Sequence, residues 1–182
     1  MENSNTFHQM RAVTRHIEGV PKEWQSTNDW DSHRELLWLA LSKTKNKIVE
    51  FGSGEGSTPL IRDYSIKNNR DFLSLESNKD WADKMKSTYV EKYDLPTNEL
   101  GLSLYADLTF IDAAPASIRE FLIRINANKS NVIIIHDTEP GADYVYGMKE
   151  ILSTFKYRLD YQPEGMPHTT AVSNTVNVCT WI

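Results

Sequence analysis

The chain has 182 residues, 40% hydrophobic and 25% charged, which is enough for one globular domain with a substantial core. Its 20 Lys and Arg against 25 Asp and Glu give a net charge of −5, which excludes a global basic field for nucleic acid or an anionic membrane. Cys179, the one cysteine, excludes an internal disulfide framework and a thiolate zinc cluster, and no apolar run approaches the ~20 residues of a membrane helix.

Residues 1–29 are polar and lack a clear period, so we predict an irregular N-terminal arm. The first residues carry charges and no apolar block, from which we expect no secretory signal and a cytoplasmic protein. Trp24 and Trp30 predict that the arm packs against the domain, because large aromatic side chains contribute much burial energy. The arm then either covers the sheet or forms a lid over a ligand.

The first helix is predicted from 32 to 43. Ser32 and Glu35 fit the S-x-x-E capping box, in which each side chain satisfies a backbone N–H at the helix start. The apolar residues that follow lie on one helical face: Leu36, Leu37, Ala40 and Leu41.

The next stretch, Lys47 to Pro59, reads KIVEFGSGEGSTP and organises the rest of the chain. A short apolar strand carries Glu50 near its end, alternating glycines follow, and Pro59 lies in the first turn of a helix, where its missing N–H costs nothing. Glycine lets the backbone turn with positive φ and approach a ligand closely. Strand, glycine turn and helix N-terminus together predict a cradle of backbone donors for an anionic or polar ligand.

The glycine spacing indicates which ligand. A dinucleotide fingerprint is G-x-G-x-x-G, whereas this chain has E-x-G-x-G-x-G with Ser57 at the position of the last glycine. The pattern resembles the first motif of class I S-adenosylmethionine-dependent methyltransferases. In that family the turn wraps the amino-acid part of the cofactor, and the acid orders the loop or meets the cofactor's ammonium. The resemblance implies cofactor contacts at Glu50, Gly52, Ser53, Gly54, Glu55, Gly56, Ser57 and Thr58; the alternative is a glycine-rich turn that binds nothing. In the family's arrangement the start of the first helix, with His33, approaches the same pocket, although a solvated helix-start histidine is the alternative.

A second strand is predicted over Asp71 to Glu76. Glu76 closes it 20 residues after Gly56, the spacing and place of an acid that accepts hydrogen bonds from a ribose diol. Glu76 and the adjacent Ser77 are therefore predicted cofactor contacts. Asn78 then caps a helix whose buried stripe we expect to be Trp81, Met85 and Tyr89.

Residues 94–105 depart from the family. The family's arrangement would require a third strand, its loop and a crossover helix there, but only Leu100 to Tyr105 is available before the next strand begins. A parallel crossover takes a dozen or more residues, so a full unit does not fit. We therefore expect the edge strand three to be reduced or missing, or the region to be a remodelled loop. In the family this region usually supplies contacts to the adenine.

The strand Asp107 to Asp112 continues into Ala113-Ala114-Pro115. Its D-x-x-F-I-D-x-x-P form is similar to the fourth strand of many small-molecule methyltransferases, whose terminal acid faces the reaction centre. It does not match the N/D-P-P-Y/F signature of many nucleic-acid N-methyltransferases. A helix from Ser117 to Asn126 follows, with these residues expected inward: Ile118, Phe121, Leu122 and Ile125.

The apolar run Val132 to Ile135 predicts a parallel strand covered on both faces, ending in His136-Asp137-Thr138. A helix is then expected from Asp143 to Phe155, and late strands over 157–161 and 175–182. The predicted fold is α/β, a doubly wound, mostly parallel, Rossmann-like methyltransferase sheet with an antiparallel last strand pair. It forms a single domain over residues 30–182.

Polar groups end the predicted strands, where open α/β sheets bind ligands. Methyl transfer must align donor and acceptor and can require removal of a proton from the acceptor. His136 is the predicted base because its ordinary pKa lies near neutrality, and Asp112 is the alternative base or the group that orients the substrate. Asp112 and Asp137 also resemble the paired magnesium-binding acids of catechol O-methyltransferase-like enzymes. Because His136-Asp137-Thr138 replaces that family's Asp-Asn pair, we predict no metal and keep a divalent ion as the alternative.

The predicted function is S-adenosylmethionine-dependent methyl transfer to a small-molecule or unidentified acceptor, without a nucleic-acid or membrane partner. The alternative is a non-catalytic methyltransferase-fold protein that acts as a cofactor-binding or protein-interaction module, which the curtailed 94–105 region favours. A Rossmann protein binding NAD or a nucleotide sugar is disfavoured by the glycine spacing. The sequence leaves a homo-oligomer open.

Overall fold

The computed structural model describes residues 16–91, 93 and 105–182. Within this part of the chain seven strands form one sheet, with the bounds β1 Ile48–Phe51, β2 Phe72–Glu76, β3 Thr88–Tyr89, β4 Ala106–Ile111, β5 Ser130–His136, β6 Tyr157–Tyr161 and β7 Thr169–Ser173. The strand order is β3-β2-β1-β4-β5-β7-β6. Strands β1 to β5 pair in parallel, and β7 is antiparallel to both β5 and β6. The predicted doubly wound, mostly parallel sheet with an antiparallel end is confirmed.

Helices cover both faces of this sheet, with the bounds α1 Arg34–Lys43, α2 Thr58–Lys67, α3 Lys79–Met85, α4 Ile118–Asn126, α5 Asp143–Tyr146 and α6 Lys149–Leu152. Alternate residues of β5 enter different cores: Ile134 packs in the cluster of α1, and Ile135 in the cluster of α4. Burial on both faces explains why β5 is continuously apolar. In the described residues no helix is long and apolar enough to cross a membrane.

The register of β1 determines where the glycine turn lies. Phe51, the last residue of β1, pairs with Leu75 on one side and with Ile111 on the other. The chain therefore leaves β1 between the carboxyl ends of β2 and β4, where the strand order reverses. Open α/β sheets bind ligands at such a switch point.

Strand three is reduced, as predicted, but it lies earlier in the chain than expected. It comprises two residues, Thr88 and Tyr89, which pair with the end of β2. The expected helical stripe through Tyr89 is wrong, because α3 ends at Met85 and Lys86 adopts a left-handed conformation with φ 55°. Residues 94–104, for which a reduced strand or a remodelled loop is predicted, lie outside the described residues.

Two expectations for the last third of the chain are wrong. The helix expected from Asp143 to Phe155 is two short helices, since Gly147 adopts φ 62° after α5. The last strand is β7 rather than 175–182. Ser173 Oγ accepts hydrogen bonds from the backbone N–H groups of Thr175 and Val176, which turns the chain away from the sheet at the end of β7.

The arm is described from residue 16, and the predicted structure of residues 1–15 lies outside the described part. Trp24 is buried and meets Tyr64 of α2 edge-on, with ring centroids 6.4 Å apart, which confirms the packing expected for it. The packing expected for Trp30 is wrong, since 86% of its surface is exposed. The two alternatives for the arm, a cover over the sheet and a lid over a ligand, both stay predictions.

The predicted capping box at Ser32 is also wrong. The capping box is formed one turn earlier by Asn28 and Asp31, around a 3-10 helix, and α1 begins at Arg34. Glu35 is instead buried and accepts a hydrogen bond of 2.7 Å from the hydroxyl of Tyr161. Ser32 is thereby available to the carboxyl end of the sheet.

Candidate functional site

Gly52 is required by the backbone at the end of β1. Its φ is +87°, and a Cβ added there would lie 2.3 Å from the carbonyl oxygen of Asp112. Its N–H donates to the carbonyl of Leu75 at 2.9 Å. The first glycine thus ties the turn to the ends of both neighbouring strands, where any side chain would clash.

Glu50 lies behind the turn with no exposed surface. Its carboxylate accepts hydrogen bonds from Ser57 Oγ at 2.6 Å, Thr58 Oγ1 at 2.8 Å and Ser74 Oγ at 2.5 Å. Burial raises the pKa of Glu50 from its ordinary value to about 7, against the opposing effect of the three hydroxyl groups. Both oxygens are therefore engaged in ordering the loop from within the protein.

Glu76 supports the turn from the end of β2. Its Oε2 accepts from the backbone N–H of Ser53 at 2.9 Å and from Ser53 Oγ at 3.3 Å, and its Oε1 accepts from Asn78 N–H at 2.8 Å. The adjacent Ser77 donates through Oγ to the carbonyl of Ala114 at 3.1 Å. Both residues lie at the predicted edge, and their contacts to a ribose stay a prediction.

The middle of the turn is more open than its ends. A Cβ added at Gly54 would have Ser57 Oγ at 3.7 Å as its nearest neighbour, an ordinary contact distance, whereas its N–H donates to Thr58 Oγ1 at 2.9 Å. Glu55 points outward and forms an exposed ion pair of 2.7 Å with Lys84. Gly54 is consequently the position at which the turn can meet a ligand without first disturbing the fold.

The end of the turn packs against the segment before α1. A Cβ at Gly56 would lie 3.1 Å from the carbonyl oxygen of Trp30 and 3.3 Å from the ring of His33. Arg34 Nε donates to the carbonyl of Gly56 at 2.9 Å. This close approach brings Ser32 and His33 to the carboxyl end of the sheet.

His136, at the end of β5, is buried, and polar side chains lie near both of its ring nitrogens. Its Nε2 lies 2.8 Å from Ser32 Oγ, and its Nδ1 lies 3.3 Å from Asp112 Oδ1 and 3.5 Å from Asp137 Oδ1. Burial lowers the pKa of His136, but the charges of the two carboxylates outweigh it and raise the pKa above the ordinary 6.5. The imidazole therefore retains its proton more readily than a solvated histidine.

His33 is buried between two rings, with its centroid 4.9 Å from that of Phe110 and 4.8 Å from that of His136. Neither of its ring nitrogens has a hydrogen-bond partner in the described structure. Burial, together with the charge of His136, lowers the pKa of His33 to about 3, so the ring is neutral at physiological pH. The alternative of a solvated helix-start histidine is wrong.

Asp112 and Asp137 flank Arg119, which sequence reasoning missed. The guanidinium donates to Asp112 Oδ1 at 2.8 Å and to Asp137 Oδ2 at 3.1 Å, and Tyr146 OH also donates to Asp137 Oδ2 at 3.1 Å. Burial raises the pKa of Asp112, but His136 and Arg119 outweigh it and lower the pKa to about 2. At neutral pH Asp112 is a carboxylate that accepts a hydrogen bond from the buried cation Arg119.

The signal for Arg119 lay in the pattern of α4. The buried positions of this helix are Arg119, Leu122, Ile123 and Asn126, so the face expected inward is rotated, and Phe121 is 36% exposed. An arginine at i, i+3, i+4 and i+7 spacing with buried residues is a cation turned into the protein, which requires acidic or carbonyl partners. Asp112, seven residues earlier, is one of them.

Two open clefts, of about 360 and 430 Å³, lie at the opposite edge of the sheet, near Arg70 and Asp107. Neither contains any of the strand-end residues described above. The candidate site is instead the carboxyl edge, where β1, β2, β4 and β5 bring together Glu50, Glu76, Asp112 and His136.

Neither a protein-family model nor a curated protein sequence matches the chain. Its structure is similar to the METTL16 MTase domain, with a TM-score of 0.56 at 13% identity over 86% of this chain and 73% of that one. It is also similar to precorrin-6y C5,15-methyltransferase from Geobacter metallireducens GS-15, with a TM-score of 0.50 at 16% identity over 83% and 93%. A human methyltransferase 10 domain containing protein gives a TM-score of 0.50 at 13% identity over 85% and 88%. The chain has the class I methyltransferase fold.

Within this methyltransferase fold, the arrangement of Asp112 and Asp137 does not fit the paired-acid magnesium site. The guanidinium of Arg119 is hydrogen-bonded to both carboxylates and is 7% exposed, so a buried cation already lies between them. A magnesium ion held by both carboxylates would have to displace this guanidinium.

Proposed function

We propose that the protein is an S-adenosylmethionine-dependent methyltransferase with a small-molecule acceptor. The observation that carries the proposal is the glycine turn at the switch point of a methyltransferase-fold sheet, with Gly54 open and acids at the ends of β2 and β4. The net charge of −5 gives no field that would attract a polyanionic acceptor, which supports a small molecule.

The residues present suit the cofactor's chemistry. When bound, S-adenosylmethionine supplies an electrophilic methyl group on a positively charged sulfonium. Asp112 is a carboxylate at neutral pH, and its side chain is 26% exposed, so it supplies negative charge to a cationic ligand at this edge. Gly54 would leave room for the aminocarboxylate tail, and Glu76 and Ser77 would face the ribose from the end of β2. The hydrogen bonds of Glu76 and Ser77 to backbone groups order the turn before any ligand binds.

We assign the removal of a proton from the acceptor to His136, which Asp112 supports. Asp112 Oδ1 lies 3.3 Å from Nδ1 of His136, while Ser32 Oγ lies 2.8 Å from Nε2. A proton taken from an acceptor at the Nε2 edge would displace the Ser32 contact and leave an imidazolium stabilised by Asp112 and Asp137. Because these carboxylates raise the pKa of His136, this role is strongest at alkaline pH.

The second candidate is a non-catalytic module with the same fold. Gly54 N–H donates to Thr58, and both oxygens of Glu76 accept hydrogen bonds from the protein itself. These internal contacts order the turn without a ligand, which favours a fold retained for protein interaction.

Calorimetric titration with S-adenosylmethionine, S-adenosylhomocysteine and NAD separates these candidates. We expect micromolar binding of the first two alone, loss of that binding in Gly54→Val, and an unchanged ligand-free melting temperature. Gly141→Val is the matched control, since a Cβ there meets nothing within 4 Å and the residue lies outside the turn. His136→Ala should retain cofactor affinity and lose turnover, measured as S-adenosylhomocysteine released from a panel of small acceptors.

If the wild-type protein binds none of the three ligands, the enzyme proposal is refuted and the interaction module is favoured. Binding of NAD alone would indicate a dinucleotide protein. Equal loss of stability and binding in Gly54→Val would show that the turn has a structural role only.

A further inference from the structure

A cluster of potential metal ligands lies beside the glycine turn. His33, Asp112 and His136 each place one potential ligand atom within 4.8 Å of the others. The three residues come from different elements, the segment before α1 and the ends of β4 and β5, so the sheet and α1 fix their relative positions. The cluster reaches the surface through Asp112, whose side chain is 26% exposed.

His33 is the residue that the fold leaves unexplained. Its side chain is 1% exposed, and neither Nδ1 nor Nε2 has a hydrogen-bond partner in the described part of the chain. An unsatisfied buried polar group typically costs about 1–3 kcal/mol, and such groups are rare in native proteins. A neutral imidazole with a free nitrogen is also the commonest metal ligand in proteins. A cation bound by His33 would give the buried nitrogen its partner.

His136 is oriented as a ligating histidine should be. Its Nε2 is engaged by Ser32 Oγ at 2.8 Å, while Nδ1 faces Asp112 without a hydrogen bond of good geometry. A metal-binding histidine almost always uses its second nitrogen in this way, which fixes the tautomer. The 3.3 Å between His136 Nδ1 and Asp112 Oδ1 matches the roughly 3.3 Å between two tetrahedral ligands about 2.0–2.1 Å from zinc.

We propose that His33, Asp112 and His136 form a binding site for a transition-metal dication of the zinc class. Two imidazole nitrogens and one carboxylate suit Zn²⁺, whereas magnesium and calcium prefer oxygen ligands. Three protein ligands would leave one position of a tetrahedral zinc ion free, as in catalytic rather than structural zinc sites. Arg119 acts as an outer partner that orients the Asp112 carboxylate.

This site differs from a magnesium site between the paired acids, where Arg119 lies, and it does not rest on methyl transfer.

The test uses the full chain, stripped with a chelator and titrated with Zn²⁺ in a calorimeter and with Co²⁺ as a visible-absorption probe. We expect one equivalent of either ion and a ligand-field spectrum. His33→Leu and Asp112→Asn should abolish the stoichiometric site, and Ser32→Ala should weaken it about 10- to 100-fold. His168→Leu, which removes a histidine outside the cluster, is the matched control and should bind as the wild type does.

No stoichiometric binding to the wild-type protein would overturn the proposal. So would binding that survives His33→Leu, or that disappears in Cys179→Ser, since either places the ion elsewhere. Circular dichroism establishes whether each variant folds; if His33→Leu does not, Ser32→Ala and Asp112→Asn decide the question. Gly54→Val should retain the metal even where it loses the adenosyl ligand, which separates this proposal from the proposed function.

Discussion

Replacing Glu50 by Gln tests the electrostatic account of the glycine turn. Glu50 has no exposed surface, and burial raises its pKa from the ordinary 4.5 to about 7. Because the folded-state pKa is the higher one, folding favours the protonated acid. Its contribution to the free energy of unfolding is therefore complete below pH 4.5 and is lost as pH rises through 7.

The size of this effect follows from the two pKa values. Their difference of about 2.5 corresponds to roughly 3 kcal/mol, at about 1.4 kcal/mol per pKa unit. About three quarters of this, roughly 2–3 kcal/mol, is lost between pH 5 and pH 8 according to the linkage relation. Gln has nearly the same shape and no charge to bury, so Glu50→Gln should gain that amount relative to the wild type over this pH interval.

Urea unfolding at pH 5 and pH 8, for wild type and variant, measures the change as a double difference in which the other titrating groups cancel. Glu164→Gln is the control, since it makes the same chemical change at an exposed position. A Glu50→Gln difference that is the same at both pH values would refute the reasoning. The three hydroxyl groups would then hold a fully ionised carboxylate at no net cost.

Three further predictions concern the same edge of the sheet. Gly52→Ala should destabilise by more than about 2 kcal/mol in urea unfolding, because φ is +87° and the Cβ would clash, whereas Gly54→Ala should change stability by less than about 1 kcal/mol. Arg119→Met should cost about 2–3 kcal/mol at pH 7, below the 3–5 of a fully buried pair because Asp112 and Asp137 are partly exposed, and the loss should shrink towards pH 2. An equal loss at both pH values would show that packing, not charge, is what Arg119 supplies. The NMR titration of His136 should give a pKa above 6.5 that falls in Asp112→Asn; an unchanged pKa would remove the Asp112 contact as its cause.

Much of the sheet could be predicted because its strands have local signatures. The run Val132 to Ile135 is apolar on both faces, and each parallel strand from β1 to β5 except β3 is followed by a turn or helix-start signal. β7 has no such signature: Thr169, Thr170 and Ser173 are polar but fully buried, and the hydroxyls of Thr170 and Ser173 are satisfied by Asp160 and the Asn131 carbonyl. Long-range partners of this kind cannot be read from a periodic pattern, which is why the sequence predicts a strand in the more apolar 175–182 instead.

The candidate site could be predicted only in part from the sequence, again because some of its contacts are long-range. The strand-end acids could be placed because parallel strands end at one edge, but Arg119, Ser32 and the burial of His33 depend on how α4 and α1 rotate against the sheet. The buried positions of α4 are offset by one residue from those expected, which is a rotation of about 100°. That rotation turns Arg119 from the surface into the protein.

Glu50 and Asp112 lie at the ends of adjacent strands, but their environments shift their pKa values in opposite directions. Glu50 lies among hydroxyls and is neutral through much of the acid range, whereas Asp112 accepts a hydrogen bond from the buried cation Arg119 and remains ionised to about pH 2. A cationic ligand at this edge, whether a sulfonium compound or a zinc-class ion, should therefore depend on Asp112. If both proposals hold, the two ligands share that carboxylate and their affinities must be coupled by the same factor in both directions. Measuring the dissociation constant of S-adenosylhomocysteine with and without Zn²⁺, and of Zn²⁺ with and without S-adenosylhomocysteine, checks this equality, and full independence of the two would show that Asp112 serves only one of them.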